Sequence, residues 1–172
     1  MTRTSPNFDL AAPLEATHRL AIESPLGWLT LEAGETALTG LAWHRPRENR
    51  VSPLLEHAAV QLAAYFAGTL RAFDLPLAPA GSAHERTVWA ELCRIPYGET
   101  ITYGELARRA GSTPRAVGGA CGTNPIAIVI PCHRVTAAGG ALGGYSGGGG
   151  VATKRRLLAL EARNSGIFAL SP

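Results

Sequence analysis

The sequence predicts an α/β (α+β) chain in two parts: a small antiparallel sheet with a helix over residues 1–80, and a mostly helical domain over residues 81–172. Three observations carry that expectation. Short β-rich segments separated by turn residues fill the first part. Helix-start signals and 3.6-residue apolar spacing fill the second. The charge also changes sign between them. Residues 1–80 hold six Arg and eight Asp or Glu, whereas residues 81–172 hold ten Arg or Lys and five Glu.

The elements follow in order. His18 to Glu23, Gly27 to Glu32 and Ala37 to Trp43 alternate or are rich in β formers, with Ser24-Pro25-Leu26-Gly27 and Ala33-Gly34-Glu35 as turns between them. Ser52 then caps a helix with Pro53 at its first position; Leu54, Ala58, Leu62, Tyr65 and Phe66 form its apolar stripe and Gly68 closes it. A short extended piece is expected at 72–75, and a domain boundary near residue 80. Beyond it, Val88, Leu92 and Ile95 mark a helix from His84 to Ile95, and Pro96-Tyr97-Gly98 is a turn. Tyr103 to Ala110 is a short helix ended by Gly111. Thr113 or Ser112 caps the next, with Pro114 leading Arg115, Ala116, Val117 and Gly118 on to about Cys121. Two short helices joined by a Gly-containing turn, the second carrying Arg, make a helix-turn-helix pattern. Ile126 to Ile130 is a β-branched run that must be buried. Gly139 to Gly150 holds eight glycines and reads as a loop, and Val151 to Ala162 as a last helix.

Composition narrows the classes. At 172 residues, 46% hydrophobic and 17% charged, the chain suffices for one domain or two small ones. No apolar run approaches the ~18–20 residues of a membrane span, and the start lacks a secretory layout. Residues 1–14, polar and Pro-interrupted, are expected to be loosely ordered. Three cysteines, Cys93, Cys121 and Cys132, are odd in number and form no disulfide framework, which fits a reducing cytoplasmic setting. No acid lies between Glu105 and Glu161, a stretch that carries six Arg and Lys154. One-signed charge favours a polyanion such as nucleic acid, and equally describes a solvated basic face.

The chemistry concentrates at Asn124 to Val135. A buried apolar segment ends at Pro131, and Cys132-His133-Arg134 follow. Proline prevents a regular ladder from continuing, so Cys132 is expected at the lip of a core element, fixed but reachable. His133 and Arg134 supply basic groups of the kind that generate thiolate, the nucleophilic form. Three readings stand for Cys132: a small buried hydrophobe, a metal ligand, or a nucleophile with a base. No CxxC or HxxxH spacing supports the second.

Pro131-Cys132-His133-Arg134-Val135, with Asn124 before it and Tyr145-Ser146-Gly147-Gly148 after it, resembles the methylated-DNA–protein-cysteine methyltransferases, the O6-alkylguanine-DNA alkyltransferases. The resemblance extends to Ser24-Pro25-Leu26-Gly27, Val88-Trp89, Ile95 to Thr100, Tyr103 to Ala107 and Arg115 to Gly118, and so covers nearly the whole chain. It implies a ribonuclease-H-like first domain. It also implies a partner, double-stranded DNA containing O6-alkylguanine, bound in the minor groove with the base flipped into a pocket. The implied reaction is irreversible, single-turnover alkyl transfer to a cysteine.

By resemblance, Cys132 is the alkyl acceptor, His133 removes its proton through a water, and Glu161 orients His133. Glu161 is the one acid in residues 106–172; the competing reading is a solvated surface Glu. Asn124 bridges the recognition helix and the cysteine segment, or is a simple turn Asn. Arg115 fills the gap left by the flipped base, or contacts phosphate; Thr113, Ala116 and Gly118 share its helix start. Tyr103 helps rotate the nucleotide and contacts the base, or packs on the core. Val135, Tyr145, Ser146 and Gly147 match the pocket that reads the guanine. Cys93 and Cys121 read as buried hydrophobes, and His18, His44, His57 and His84 as structural or exposed.

No cysteine precedes Cys93, so no metal is expected, nor any cofactor. The expected state is a monomer with no membrane association, and cooperative loading on DNA is left open. So are O4-alkylthymine and bulky adducts. Two departures from the family pattern stand out: a shortened link from Gly111 to Arg115, and a lengthened glycine run at 147–150. No methyl-phosphotriester module precedes the first domain, so a transcriptional switch is not expected. The remaining alternatives are a non-enzymatic alkylated-DNA-binding protein, a helix-turn-helix regulator with an inert cysteine, and a thiol hydrolase.

Overall fold

The computed structural model describes residues 16–166, so the expectation for residues 1–14 lies outside it. Contacts divide the chain into two compact units, Met1–Gly81 and Ser82–Pro172.

In the first unit, β1 (His18–Ser24), β2 (Gly27–Ala33) and β3 (Leu38–Ala42) form an antiparallel sheet in that order. Ser24 pairs with Gly27, so Pro25-Leu26 form the hairpin tip. Gly27 sits at φ +97°, where a side chain would be strained. Leu29, Leu31 and Ala33 on β2 and Leu38 on β3 are fully buried. Helix α1 (Pro53–Phe66) begins as its cap signal demands, with Ser52 accepting from the Leu55 amide. Its buried face runs through Leu55, Ala58, Leu62 and Tyr65, not through Leu54 as the sequence suggested. Positions 55, 58, 62 and 65 keep helical spacing, so choosing Leu54 rotated the stripe by one residue.

The extended piece expected at 72–75 is not a strand. The buried Gln61 amide donates to the Asp74 carbonyl (2.9 Å) and accepts from the Asp74 amide (2.8 Å), taking the place of a neighbouring strand. Strand-like pairing occurs further on, as an isolated parallel bridge between Leu38 and Leu77. Pro76 has no N–H with which to extend it.

In the second unit, α2 (Ala83–Cys93) opens with a full capping box between Ser82 and Glu85. The buried Trp89 donates its indole N–H to the Ala120 carbonyl at 2.8 Å, fastening α2 to α4 (Pro114–Gly122). Between them, α3 (Tyr103–Arg109) is capped by Thr102, and Gly111 at φ +60° turns the chain toward α4. Thr113, rather than Ser112, caps α4 by accepting from the Ala116 amide. The last helix is α5 (Val151–Asn164).

Two features were not legible in the sequence. β4 (Ile101–Thr102) pairs in parallel with β5 (Val135–Thr136), a ladder too short to leave a two-residue period. The Ile126–Ile130 run is buried as expected, but forms turns rather than a strand, with Ile128 at φ +76°. A β-branched residue in that region is strained, and such residues cluster where surrounding contacts over-determine the backbone.

Candidate active site

Cys132 stands where the buried run stops. Pro131 adopts φ −84° and ψ 64°, an inverse γ-turn closed by the Cys132 amide donating to the Ile130 carbonyl at 2.9 Å. Cys132, His133 and Arg134 then form one 3-10 turn, and all three side chains are buried. Asn124 holds this loop from the end of α4. Its amide nitrogen donates to the Ile130 carbonyl (2.8 Å) and to Cys132 Sγ (3.2 Å), while its side-chain oxygen accepts from the Ile126 amide (3.0 Å). One side chain thus spans the strained Ile128 turn and touches the sulfur.

Burial pushes the Cys132 thiol up from its ordinary value; the Asn124 hydrogen bond and the Lys154 charge pull the other way. The resting group is therefore a thiol, which needs a base to become a nucleophile.

His133 and Glu161, paired above by the family resemblance, lie in hydrogen-bonding contact. His133 is fully buried and its Nε2 lies 2.7 Å from Glu161 Oε1. Glu161 also accepts from Arg134 Nε (2.9 Å to Oε2) and Nη2 (3.0 Å to Oε1), and from the Gly98 amide at 3.0 Å. Burial alone raises the Glu161 carboxyl, but His133 and Arg134 outweigh it and hold it well below the ordinary carboxylate value. An ionised carboxylate only accepts, so Nε2 of His133 carries the proton and Nδ1 is the basic nitrogen. Burial lowers His133 against the opposing pull of Glu161, so the imidazole is neutral at pH 7.

Arg134 completes the arrangement by donating to the Ile95 carbonyl at 2.7 Å. The sequence offered Arg134 only as a nearby charge, whereas in the fold it balances Glu161. Buried charges are tolerable when paired and hydrogen-bonded in this way.

Gly98 is a second supporting residue that sequence reasoning passed over. It sits at φ +80°, and a Cβ there would lie 2.5 Å from Ser165 Cβ. Gly98→Ala is expected to destabilise the protein by roughly 1–3 kcal/mol, because backbone strain and the clash act together. Chemical denaturation would measure it, and an unchanged midpoint would remove Gly98 from this role.

A cavity of about 240 Å³ opens at the sulfur. Cys132 lines it with Tyr103 from the start of α3, Gly118, Cys121 and Gly122 from α4, and Gly144, Tyr145 and Ser146 from the glycine loop. Tyr145 and Ser146 therefore border this cavity. Tyr103, expected to turn the nucleotide and contact the base, lines the cavity, and so does Gly118, which was expected only at DNA. Val135 and Gly147 are buried and absent from its lining, and Cys121, expected as a plain core residue, is part of it. Arg115 and Ala116 are exposed on the first turn of α4, beside the Thr113 cap.

Lys154 is the functional candidate the sequence reading missed. It is fully buried, and its ammonium donates to the Val135 carbonyl (2.5 Å) and the Gly144 carbonyl (3.1 Å), 5.8 Å from the Tyr103 ring centroid. The carbonyl of Val135 is thus engaged inside the protein. A signal was available: Lys154 is the only Lys among sixteen basic residues. A chain that otherwise uses Arg retains a compact, three-donor ammonium at one buried point.

Among the described residues, no three His, Cys, Asp or Glu gather as a metal-binding group, and no helix is long and apolar enough to cross a membrane.

Comparison with known proteins matches the chain along most of its length. The family model for the 6-O-methylguanine DNA methyltransferase ribonuclease-like domain matches residues 18–79, and that for the DNA-binding domain of the same family matches residues 83–163. The methylated-DNA–protein-cysteine methyltransferase of Mycolicibacterium paratuberculosis is 48% identical over 153 residues, 84% of this chain and 92% of that protein. The protein of the same name from Methanosarcina barkeri is 44% identical over 153 residues, 83% of this chain and 96% of that one. The solved structure of Mycobacterium tuberculosis OGT in complex with DNA superposes with a TM-score of 0.76 at 46% identity, covering 86% of this chain and 94% of that one.

Proposed function

This chain belongs to the methylated-DNA–protein-cysteine methyltransferase family, whose members repair DNA by direct-reversal alkyl transfer, and from that premise we propose that it acts on O6-alkylguanine in duplex DNA with Cys132 as the acceptor. As the thiol proton passes through a water to His133 Nδ1, Cys132 Sγ attacks the alkyl carbon; the bond to guanine O6 breaks with its electron pair staying on guanine, which takes up a proton and leaves as neutral guanine. Glu161 keeps His133 in the tautomer that leaves Nδ1 basic, and Arg134 balances the carboxylate. The thioether formed has no internal route back to thiol, so each molecule acts once.

The observation that carries this reading is the sulfur itself: Cys132 borders a base-sized cavity, accepts a hydrogen bond from Asn124, and adjoins the buried His133–Glu161 pair. The basic second half, with Arg115 exposed at the start of α4, supports placing that helix against DNA. Arg115 then fills the stack when the target base is flipped, which offsets part of the unstacking cost. Tyr103, Tyr145 and Ser146 receive the base.

The deciding experiment is mass spectrometry after incubation with duplex DNA carrying O6-methylguanine. The expected gain is about one methylene (~14 Da) on the Cys132 peptide, saturating at one per protein. Lesion binding without mass gain would support a binding protein instead, and repair beyond one equivalent would rule out stoichiometric transfer.

The pH dependence follows from His133. Its ordinary value is 6.5 and burial lowers it, so Nδ1 accepts a proton throughout the neutral range. The single-turnover rate is expected to hold between pH 8 and 6.5 and to fall only below 6.5. A steady decline already between pH 8 and 7 would count against His133 as the base.

A further inference from the structure

We infer that Cys121, the second thiol of the cavity, is the residue that sets how large an O6 substituent this protein accepts; the inference rests on the proposed reaction at Cys132. Helix α4 contributes Gly118, Cys121 and Gly122 to the cavity wall, at the i, i+3, i+4 spacing that shares one helical face. Both glycines present bare backbone: a Cβ built on either meets nothing within 4 Å. The thiol of Cys121 is therefore the one side chain that α4 extends into the space.

Cys121 and Cys132 line the same cavity, and Asn124 ties their two segments together. Asn124 donates its backbone amide to the Cys121 carbonyl at 3.4 Å and its side-chain amide to Cys132 Sγ at 3.2 Å, so one residue bridges the two cysteines. The thiol of Cys121 is pushed up to about 12, mainly by burial. It stays protonated at neutral pH, so it serves as wall rather than as a second acceptor. For transfer, the alkyl carbon must lie against Cys132 Sγ, so the rest of the substituent extends along the wall that Cys121 forms.

The space is small. About 240 Å³ is below the ~300–1,000 Å³ of most small-molecule pockets, so a flipped base leaves little slack. In such a pocket one methylene more or less changes discrimination by about 10- to 200-fold. A cysteine side chain is short, and with two flanking glycines the wall recedes where a longer residue would close it.

The test compares the parent, Cys121→Ala and Cys121→Leu for single-turnover transfer from duplexes carrying O6-methylguanine or O6-benzylguanine. The expected result is a benzyl-to-methyl rate ratio at least about tenfold lower in Cys121→Leu, and higher than the parent in Cys121→Ala. A ratio within about twofold of the parent in both variants would overturn the inference, because a purely structural role changes both substrates alike. Should Cys121→Leu fail to fold, the Ala variant decides alone: a raised ratio supports the inference and an unchanged one overturns it. Absence of methyl transfer in the parent would instead overturn the reaction assigned to Cys132, which separates the two failures.

Discussion

Cys132→Ser is expected to abolish alkyl transfer while leaving DNA affinity nearly intact. The substitution replaces Sγ with a hydroxyl of similar reach, and Asn124 Nδ2, now 3.2 Å from the sulfur, can donate to that oxygen as well. The loop clamped by Asn124 should therefore keep its shape, and Arg115 and Thr113 at the start of α4 are untouched. What disappears is the proposed nucleophile. A serine hydroxyl ionises far less readily than a thiol, and a neutral imidazole beside it lacks the oxyanion-type support that lets hydrolases use serine. The measurement pairs mass analysis of the protein with a binding titration on duplex carrying O6-methylguanine. Persistent transfer would show that the acceptor is another residue. Loss of both transfer and binding would show that the cysteine is needed for the fold of the site and leave its chemistry unproven.

How much of this was legible in sequence follows from the range of each interaction. The caps at Ser52 and Thr113 and the hairpin at Ser24–Gly27 are local, and the chain carries their signals within three or four residues. The cysteine motif is also local, whereas its pairing with Glu161 came from the family resemblance, with the isolation of that acid in a basic stretch as support. Long-range partners left no such trace. Lys154 reaches a carbonyl nineteen residues away, and Arg134 one thirty-nine residues away. Backbone carbonyls are the same in every residue, so no pattern of side chains announces which one a buried cation meets. The turns at 126–130 were obscured for the opposite reason. A β-branched run signals a strand, and only the Asn124 clamp and Pro131 make it fold back on itself. Cys121 looked like core because it is core on one side; that its other side faces the cavity depends on how α4 is rotated, which Trp89 fixes through the Ala120 carbonyl.

In the proposed reaction Glu161 joins activity to stability, and its variants should separate them. Glu161→Ala removes the acceptor shared by His133, Arg134 and Gly98 and leaves a buried guanidinium without its counter-charge. Removing one partner of such a pair costs roughly 3–5 kcal/mol, a large share of the ~5–15 kcal/mol that holds a domain folded. Glu161→Gln keeps the shape and one acceptor oxygen, so it should fold, but with slower transfer. A neutral amide no longer fixes the His133 tautomer through charge, so Nδ1 is a weaker and less constantly oriented base. The loss should stay within the ~10²–10⁴-fold that positioned proton transfer contributes. Acid stability gives an independent readout. The Glu161 carboxyl is held below its ordinary 4.5 in the folded protein. Its contribution is therefore present above pH 4.5 and lost as pH falls toward the lowered folded value, because below 4.5 the unfolded chain binds the proton first. His133, lowered from 6.5, acts in the same direction, starting as pH drops below 6.5. Denaturation midpoints measured from pH 7 to pH 3 should thus fall in two stages in the parent. In Glu161→Gln the lower stage should shrink, since the group responsible no longer titrates. An acid profile identical to the parent's would mean that Glu161 does not carry the charge the geometry assigns it. Normal transfer at pH 7 in the same variant would mean that His133 needs no orienting carboxylate.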